Sequence, residues 1–327
     1  GYYTFSMHAN NADFWNRRAM HNTLGYKKFY SKTDYKVTKE NTIGLGLSDK
    51  EFFKQSIPKI KKISEKHDKW YGISIMLSNH TPFSDVERYG EYNVDIKGTV
   101  TKEDGTQEEV TYPYMEGTKL GNYFKSLHYA DSALGEFINE LDEAGLLDNT
   151  VIVLYGDHDA RLPRSEYNKL YNYNMETHEF LTEDDPNYKE YDSFQYEVGR
   201  RVPFIIWTKD SKGNEKLNRE ITDVMGMYDV MPTLGNMLGF SNKYALGHDI
   251  FNIKNNNIVV FPNGNWVTNK MYYNSQKEAY LSLSDEPITE EEITKNSEYT
   301  NKLLDVSNDI IVFDLLNEKK SKEISGE

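Results

Sequence analysis

An apolar run that ends in a glycine, a carboxylate and an imidazole is the clearest chemical signal in this sequence. The run Val151–Tyr155 is followed directly by Gly156, Asp157 and His158. We expect Gly156 to let the backbone turn tightly there, so that the two polar side chains are presented together. Oxygen and nitrogen donors of this kind suit Mn²⁺, Mg²⁺ or Zn²⁺. The pair therefore predicts a metal site. An Asp that caps a turn beside a His that merely packs would have the same sequence.

A second group of candidate residues follows the first apolar run of the chain. His8 ends the run Tyr2–His8, and Trp15 and Arg17 come shortly afterwards. In one pocket, Arg17 would clamp a phosphoryl oxygen with its guanidinium fork, His8 would donate a hydrogen bond and Trp15 would form an apolar wall. The alternative places Trp15 in the core of an amphipathic helix and leaves Arg17 as a solvated charge.

A third candidate, His80, follows the apolar run Tyr71–Leu77. Pro82 disfavours further regular structure, so His80 is predicted to lie on a loop. A single loop histidine is more often structural than functional, and His80 matters only if it shares an edge with His8 and His158. The remaining histidines have no convincing ligand partner in the sequence and are predicted to be structural: His21, His67, His128, His178 and His248.

The order of apolar runs predicts the fold that would bring these residues together. Runs at Tyr2–His8, Tyr71–Leu77, Val151–Tyr155 and Pro203–Trp207 are continuous, as in strands covered on both faces, and the helical pattern Gly121–Ala144 lies between two of them. This alternation predicts an α/β fold with a mostly parallel sheet sandwiched by helices. Ligand sites in such sheets lie beyond the carboxyl ends of the strands, where the three candidate groups would meet.

Two polar insertions and a different C-terminal pattern complete the organisation. The segments 85–112, which resembles a hairpin, and 161–195 are predicted to be surface loops near the site. Short strands with turn signals predict a small antiparallel sheet after Asn252, so we expect a main domain at 1–252 and a small subdomain at 253–327. The tail is predicted to hold one strand, DIIVFDLL, before a charged end.

Composition excludes several functions. The 327 residues carry a net charge of −14 and no Cys. The charge argues against nucleic acid as a partner, and the lack of Cys excludes disulfides and thiolate ligands. No apolar run is long enough to span a membrane. Because Gly1 begins directly in an apolar strand, we expect a fragment of a longer protein.

Taken in order, these segments resemble the extracellular catalytic domain of lipoteichoic acid synthases, which belong to the sulfatase and alkaline phosphatase superfamily. The resemblance runs in order over roughly the first 270 residues and rests on the following segments: GYYTFSMHANNADFWNRRAMHNTLGYKKFY, LSNHTPF, the helix before LLDNTVIVLYGDH, RRVPFIIW, DVMPTLGNMLG, LGHDIF and FPNGNWVT.

The resemblance implies a phosphoglycerol transferase that acts outside the cell of a Gram-positive-type bacterium, anchored by upstream membrane spans. It implies that Asp157 and His158 bind Mn²⁺ or a similar ion, and that the glycerol phosphate pocket is lined by His8, Trp15, Arg17 and His80. In that family a threonine attacks the phosphorus of phosphatidylglycerol and releases diacylglycerol. The glycerol end of a growing glycerol phosphate polymer then displaces the covalent intermediate.

Two features depart from the family pattern. The nucleophilic threonine and a metal-binding glutamate precede the segment that begins at Gly1, so the chain is expected to contain no catalytic nucleophile and to be inactive by itself. The loop after the metal pair, with Asp159 and Arg161, also differs. Arg161 or Arg164 could contact an anionic substrate or form a surface salt bridge. A sulfatase, a phosphodiesterase, a phosphoethanolamine transferase and a non-catalytic module that binds glycerol phosphate remain alternatives.

Overall fold

The computed structural model describes residues 1–209, 218–253 and 257–317. The strands are β1 (Tyr3–Met7), β2 (Lys28–Tyr30), β3 (Thr42–Ile43), β4 (Gly46–Leu47), β5 (Trp70–Ser74), β6 (Ile96–Thr101), β7 (Gln107–Tyr112), β8 (Val151–Tyr155), β9 (Tyr173–Asn174), β10 (Glu179–Phe180), β11 (Phe204–Thr208), β12 (Val259–Val260), β13 (Trp266–Val267), β14 (Met271–Asn274) and β15 (Ala279–Ser282). The helices are α1 (Arg17–Thr23), α2 (Asp49–Ser64), α3 (Lys119–Glu143), α4 (Arg164–Tyr171), α5 (Ser193–Gly199), α6 (Val230–Leu238) and α7 (Glu290–Phe313). Within the described ranges, no helix is both long and apolar enough to cross a membrane.

The chain divides into two compact units. The first comprises Gly1–Asp192 and Arg200–Asn218, and the second comprises Ser193–Gly199 and Arg219–Glu327. All of the candidate site residues lie in the first unit. The predicted division between residues 252 and 253 stays a prediction.

The first unit is built on a parallel sheet with the strand order β2-β1-β5. Phe5 and Met7 on β1 are buried in a core with side chains of α2 and α3, whose contact includes the stacked rings of Phe53 and Phe137, 4.1 Å apart. On the opposite face, His21 of α1 lies 2.6 Å from the Ser6 hydroxyl of β1. Helices therefore cover both faces of this sheet, and the predicted α/β class is confirmed.

The third and fourth predicted strands form a separate antiparallel pair. Val151–Tyr155 of β8 pairs with Phe204–Thr208 of β11, and Ile152 and Trp207 pack against the core of the first unit. The expectation that these strands are covered on both faces is wrong for β8, because Val151 and Tyr155 are each 39% exposed. A continuous apolar run shows that the side chains on both faces of a strand can be buried. It does not show that another part of the protein covers each face.

The two predicted surface insertions contain short regular elements. The first includes the antiparallel hairpin β6–β7, as the sequence pattern predicts. The second contains α4 and the two-residue pair β9–β10. Aromatic contacts join the two insertions, since the Tyr112 ring stacks on His178 with centroids 3.4 Å apart.

The second unit contains the predicted small antiparallel sheet, in the order β12-β13-β14-β15. Its buried side chains include Trp266, Met271 and Tyr272. The predicted tail strand DIIVFDLL is wrong, because Asp309–Phe313 forms the end of α7. That helix is N-capped by the Thr289 hydroxyl, which accepts a hydrogen bond from the Glu292 amide, and once started it extends through the β-branched run. The predicted charged end, 318–327, lies outside the described residues.

Candidate functional site

The candidate residues converge because three strands end at one edge of the first unit. Since β1 and β5 are parallel neighbours, His8 after β1 lies beside the segment that leaves β5. The His8 Nδ1 donates to the Ile75 carbonyl over 3.1 Å. The segment continues to His80, whose ring lies edge-on to that of His158 after β8, with centroids 5.6 Å apart.

His8 is buried and poised as a neutral acceptor. It is 1% exposed, and its Nε2 has no hydrogen-bond partner among the described residues. Burial, assisted by the neighbouring Arg17 charge, outweighs the raising effects of the Ile75 carbonyl and Asp157 and lowers the pKa of His8 to about 4. At neutral pH, His8 is therefore uncharged, with the lone pair of Nε2 facing the site.

His80 and His158 are held in the same tautomer. The Nδ1 atoms of His80 and His158 lie 2.7 Å from the carbonyl oxygens of Thr81 and Asp159, respectively. A carbonyl can only accept, so each Nδ1 carries the hydrogen and each Nε2 is left to face a ligand. Backbone anchoring of this kind is typical of histidines that bind metals or anions.

Asp157 and His158 bring one oxygen and one nitrogen donor together. The distance from Asp157 Oδ1 to His158 Nε2 is 3.8 Å, and the Asp157 side chain is 75% exposed. This donor pair fits part of a metal site. Among the described residues, no group of three or more potential ligand side chains is arranged to hold an ion.

Gly156 has a different role from the predicted tight turn. A Cβ at this position would lie 2.8 Å from the Cβ of Val202, while the Gly156 amide donates to the Pro203 carbonyl. The glycine is required because the segment before β11 approaches closely. It thereby lets the Asp157–His158 turn lie against that segment.

Trp15 and Arg17 lie at the N-terminal end of α1. The Arg17 Nη1 is buried without a hydrogen-bond partner among the described residues, and burial lowers the Arg17 pKa. Trp15 is 76% exposed, so the alternative that packs it in a helix core is wrong. Its backbone is left-handed, with φ of 56°, and Asn16 follows with φ of 54°. Such conformations cost about 1–2 kcal/mol each in residues other than glycine and are found preferentially at ligand sites.

The loop that follows Asp157 and His158 is held in place by hydrogen bonds and ion pairs of its charged side chains. Burial would raise the pKa of Asp159, but its hydrogen bonds with Arg200 and the Arg161 amide outweigh that effect and lower it. Arg164 pairs with Glu190 at 3.3 Å, as the salt-bridge alternative predicts. Arg161 is exposed and left-handed, with φ of 52°.

No local sequence pattern marks the residues that hold these site residues together. Asp49, at the start of α2, accepts hydrogen bonds from the amides of Leu77 and Ser78, and Ser126 Oγ lies 2.7 Å from Asn79 Oδ1. The Ser48–Asp49 pair signals a helix start, but nothing local connects it to a segment far along the chain. The five other histidines contact neighbouring groups: the rings of His21, His67, His128 and His178 pack on aromatic rings, and the His248 amide binds the Asp229 carboxylate. That these five are structural stays a prediction.

With this geometry in place, comparison with known proteins gives the family. The sequence pattern of the sulfatase family matches residues 1–240. The chain belongs to the sulfatase family. Within it, the chain is 34% identical to lipoteichoic acid synthase 1 of Bacillus subtilis over 331 aligned residues, which cover 100% of this chain and 45% of that protein. It is 32% identical to the lipoteichoic acid synthase of Staphylococcus saprophyticus, covering 97% of this chain and 43% of that protein.

Two solved structures share the fold of this chain. The lipoteichoic acid synthase LtaP from Listeria monocytogenes aligns with a TM-score of 0.71 and 27% identity, covering 95% of this chain and 70% of that one. A Vibrio parahaemolyticus protein of the alkaline phosphatase superfamily aligns with a TM-score of 0.57 and 18% identity, covering 94% of this chain and 66% of that one. The resemblance to lipoteichoic acid synthases is confirmed. The chain spans less than half the length of the curated synthases it matches.

Proposed function

We propose that the protein containing this chain transfers glycerol phosphate from phosphatidylglycerol to a glycerol phosphate polymer or a glycolipid. The observation that carries the proposal is one edge at which three histidines keep Nε2 for a ligand beside the buried Nη1 of Arg17, which has no hydrogen-bond partner within the described ranges. Burying a guanidinium nitrogen without a hydrogen-bond partner costs free energy, and a bound anion would supply that partner. The similarity to synthases named for lipoteichoic acid supports glycerol phosphate as that anion.

Each side chain has a distinct role in this proposal. Arg17 binds a phosphoryl oxygen with charge-assisted hydrogen bonds and stabilises the charge that grows during an in-line displacement. His8, which is neutral at Nε2, accepts a hydrogen bond from a glycerol hydroxyl. His80 faces the same group from the β5 loop, and the exposed indole of Trp15 covers the glycerol carbons.

Asp157 and His158 would hold the metal ion, which we take to be Mn²⁺, with Mg²⁺ or Zn²⁺ as alternatives. The exposed carboxylate and the anchored imidazole supply the oxygen and nitrogen donors that such ions accept. A bound ion would neutralise phosphoryl oxygens and lower the pKa of an attacking hydroxyl.

The remaining parts of the machinery are proposed to lie in other segments of the parent protein. These are the nucleophilic threonine, a glutamate ligand and the membrane anchor that holds the domain at the outer face of the cytoplasmic membrane. In that arrangement, the phosphatidylglycerol head group enters from the membrane and the polymer end enters from outside. By itself, this chain would bind glycerol phosphate without turning over the lipid.

The direct test measures phosphatidylglycerol turnover with Mn²⁺ by the full-length protein and by its Asp157→Ala variant. We expect the variant to lose at least about 100-fold in turnover, because it lacks one ligand of the metal ion that would neutralise the reacting phosphoryl group. Asp148→Ala is the matched control, since Asp148 is also exposed and lies just before β8, the strand that Asp157 follows. Asp148 forms an ion pair with Lys209. Equal turnover by wild type and Asp157→Ala would sink the metal assignment.

A substrate panel separates this proposal from its rivals. Aryl sulfates, simple phosphodiesters and phosphatidylethanolamine are offered to the same full-length protein beside phosphatidylglycerol. We expect turnover of phosphatidylglycerol to exceed the others. A clear preference for a sulfate ester or for phosphatidylethanolamine would replace the proposed donor.

A further inference from the structure

Asp49 is a buried carboxylate bound to backbone amides on the far side of the site loop. Its side chain is fully buried and its Oδ1 lies 2.8 Å from the Leu77 amide. The Ser78 amide is 3.2 Å from both carboxylate oxygens, and the Asp49 amide donates to the Ser78 hydroxyl over 2.9 Å. The carboxylate therefore ties the first turn of α2 to the backbone two residues before His80.

The charge makes this tie strong at neutral pH. Burial outweighs the lowering effect of the Leu77 and Ser78 hydrogen bonds and raises the pKa of Asp49 to about 6. The group is ionised at pH 7, and hydrogen bonds from amides to a carboxylate are about twice as strong as neutral ones. A buried charge of this kind is kept only where donors compensate it, and here the donors belong to the site loop.

The segment that carries Asp49 also touches the His8 loop. Gly46, three residues earlier, is packed so closely that a Cβ there would lie 2.7 Å from Leu77 Cδ1 and 3.0 Å from the Ala9 carbonyl oxygen. Ala9 directly follows His8. One short stretch, Gly46–Asp49, thus contacts two of the three segments that bring histidines to the site, those of His8 and His80.

We propose that Asp49 is a positioning residue for His80: its carboxylate fixes Leu77 and Ser78, and so determines where the His80 imidazole stands relative to His8 and His158. The ligand that His80 meets there rests on the proposed function, but the position of His80 does not. Asp49 itself touches no substrate in this proposal.

The test compares two conservative variants of this chain. Asp49→Asn removes the charge and turns an amide group toward the Ser78 N–H. Asp229→Asn is the matched control, because Asp229 is equally buried and binds the amides of Gly226 and His248, but in the second unit. Both variants should lose stability to a similar degree, which thermal unfolding measures.

The deciding readout is the set of imidazole NMR signals of His80, assigned with a His80→Gln variant. We expect Asp49→Asn to shift them and Asp229→Asn to leave them unchanged. The Kd for sn-glycerol 1-phosphate with Mn²⁺ should rise about ten-fold only in Asp49→Asn, since loss of a group that orients a ligand-binding residue typically costs about 10- to 100-fold in affinity. Unchanged His80 signals in Asp49→Asn, or equal shifts in the two variants, would overturn the proposal.

Two further results keep the test decisive. If Asp49→Asn does not fold, Ser78→Ala removes only the Ser78 hydroxyl bond and should shift the His80 signals in a folded protein, whereas unchanged signals would count against the proposal. If the wild type fails to bind sn-glycerol 1-phosphate, the proposed function fails, and the His80 signals still decide the role of Asp49.

Discussion

Protonation of His8 should weaken the fold, and the structure sets the size of the effect. The folded-state pKa of His8 is about 4 and its ordinary value is 6.5. As the pH falls through 6.5, the unfolded chain binds the proton first, so stability is lost progressively until the folded pKa is reached. At about 1.36 kcal/mol per pKa unit, lowering the pH from about 7.5 to about 5 should cost about 2 kcal/mol through His8.

The variant His8→Asn isolates this contribution. Asn can keep the donor to the Ile75 carbonyl, but it cannot titrate. The comparison is necessary because Asp49, whose pKa is raised to about 6 by burial, changes stability in the opposite direction over the same range. Asp49 is present in both proteins, so its contribution cancels in the difference between them.

The assay is urea unfolding followed by tryptophan fluorescence at a series of pH values. The stability advantage of wild type over His8→Asn should shrink by about 2 kcal/mol between about pH 7.5 and about pH 5. Thr4→Ala, on the same strand and without a titratable group, should differ from wild type by an amount independent of pH. A pH-independent difference for His8→Asn as well would refute the account of His8 as a buried neutral base.

Three further predictions concern single side chains. Gly156→Ala should lower the unfolding free energy by about 1–3 kcal/mol, because its Cβ would overlap Val202; an unchanged Tm would contradict the close approach. Trp15→Gly should leave stability unchanged or raise it, since it relieves the left-handed strain, yet weaken glycerol phosphate binding measured by calorimetry; unchanged binding would remove Trp15 from the pocket. Arg164→Ala should change stability by less than about 1 kcal/mol in thermal unfolding, because its pair with Glu190 is solvent-exposed; a larger loss would show that the insertion depends on this ion pair.

Local pattern was sufficient for several elements of the fold. Continuous apolar runs located β1, β5, β8 and β11, and the three- and four-residue spacing of apolar side chains located α3. It failed at the tail, where the β-branched residues of DIIVFDLL favoured a strand. A helix that begins at a cap many residues earlier extends through that run, and a local window does not contain the cap.

The residue types at the ends of the strands, and with them the chemistry available to the site, can be read directly from the amino-acid sequence. An apolar run that ends in polar side chains is a local sequence pattern. This pattern identified His8, His80, Asp157 and His158 as candidate site residues. How these groups are held depends on the three-dimensional fold: it turns the Nε2 atoms of the three histidines toward the site, binds Asp49 to the backbone before His80, and brings Val202 against Gly156. Those features arise from contacts between segments distant in the chain, such as Asp49 with Leu77, and no spacing along the sequence encodes a distance in space.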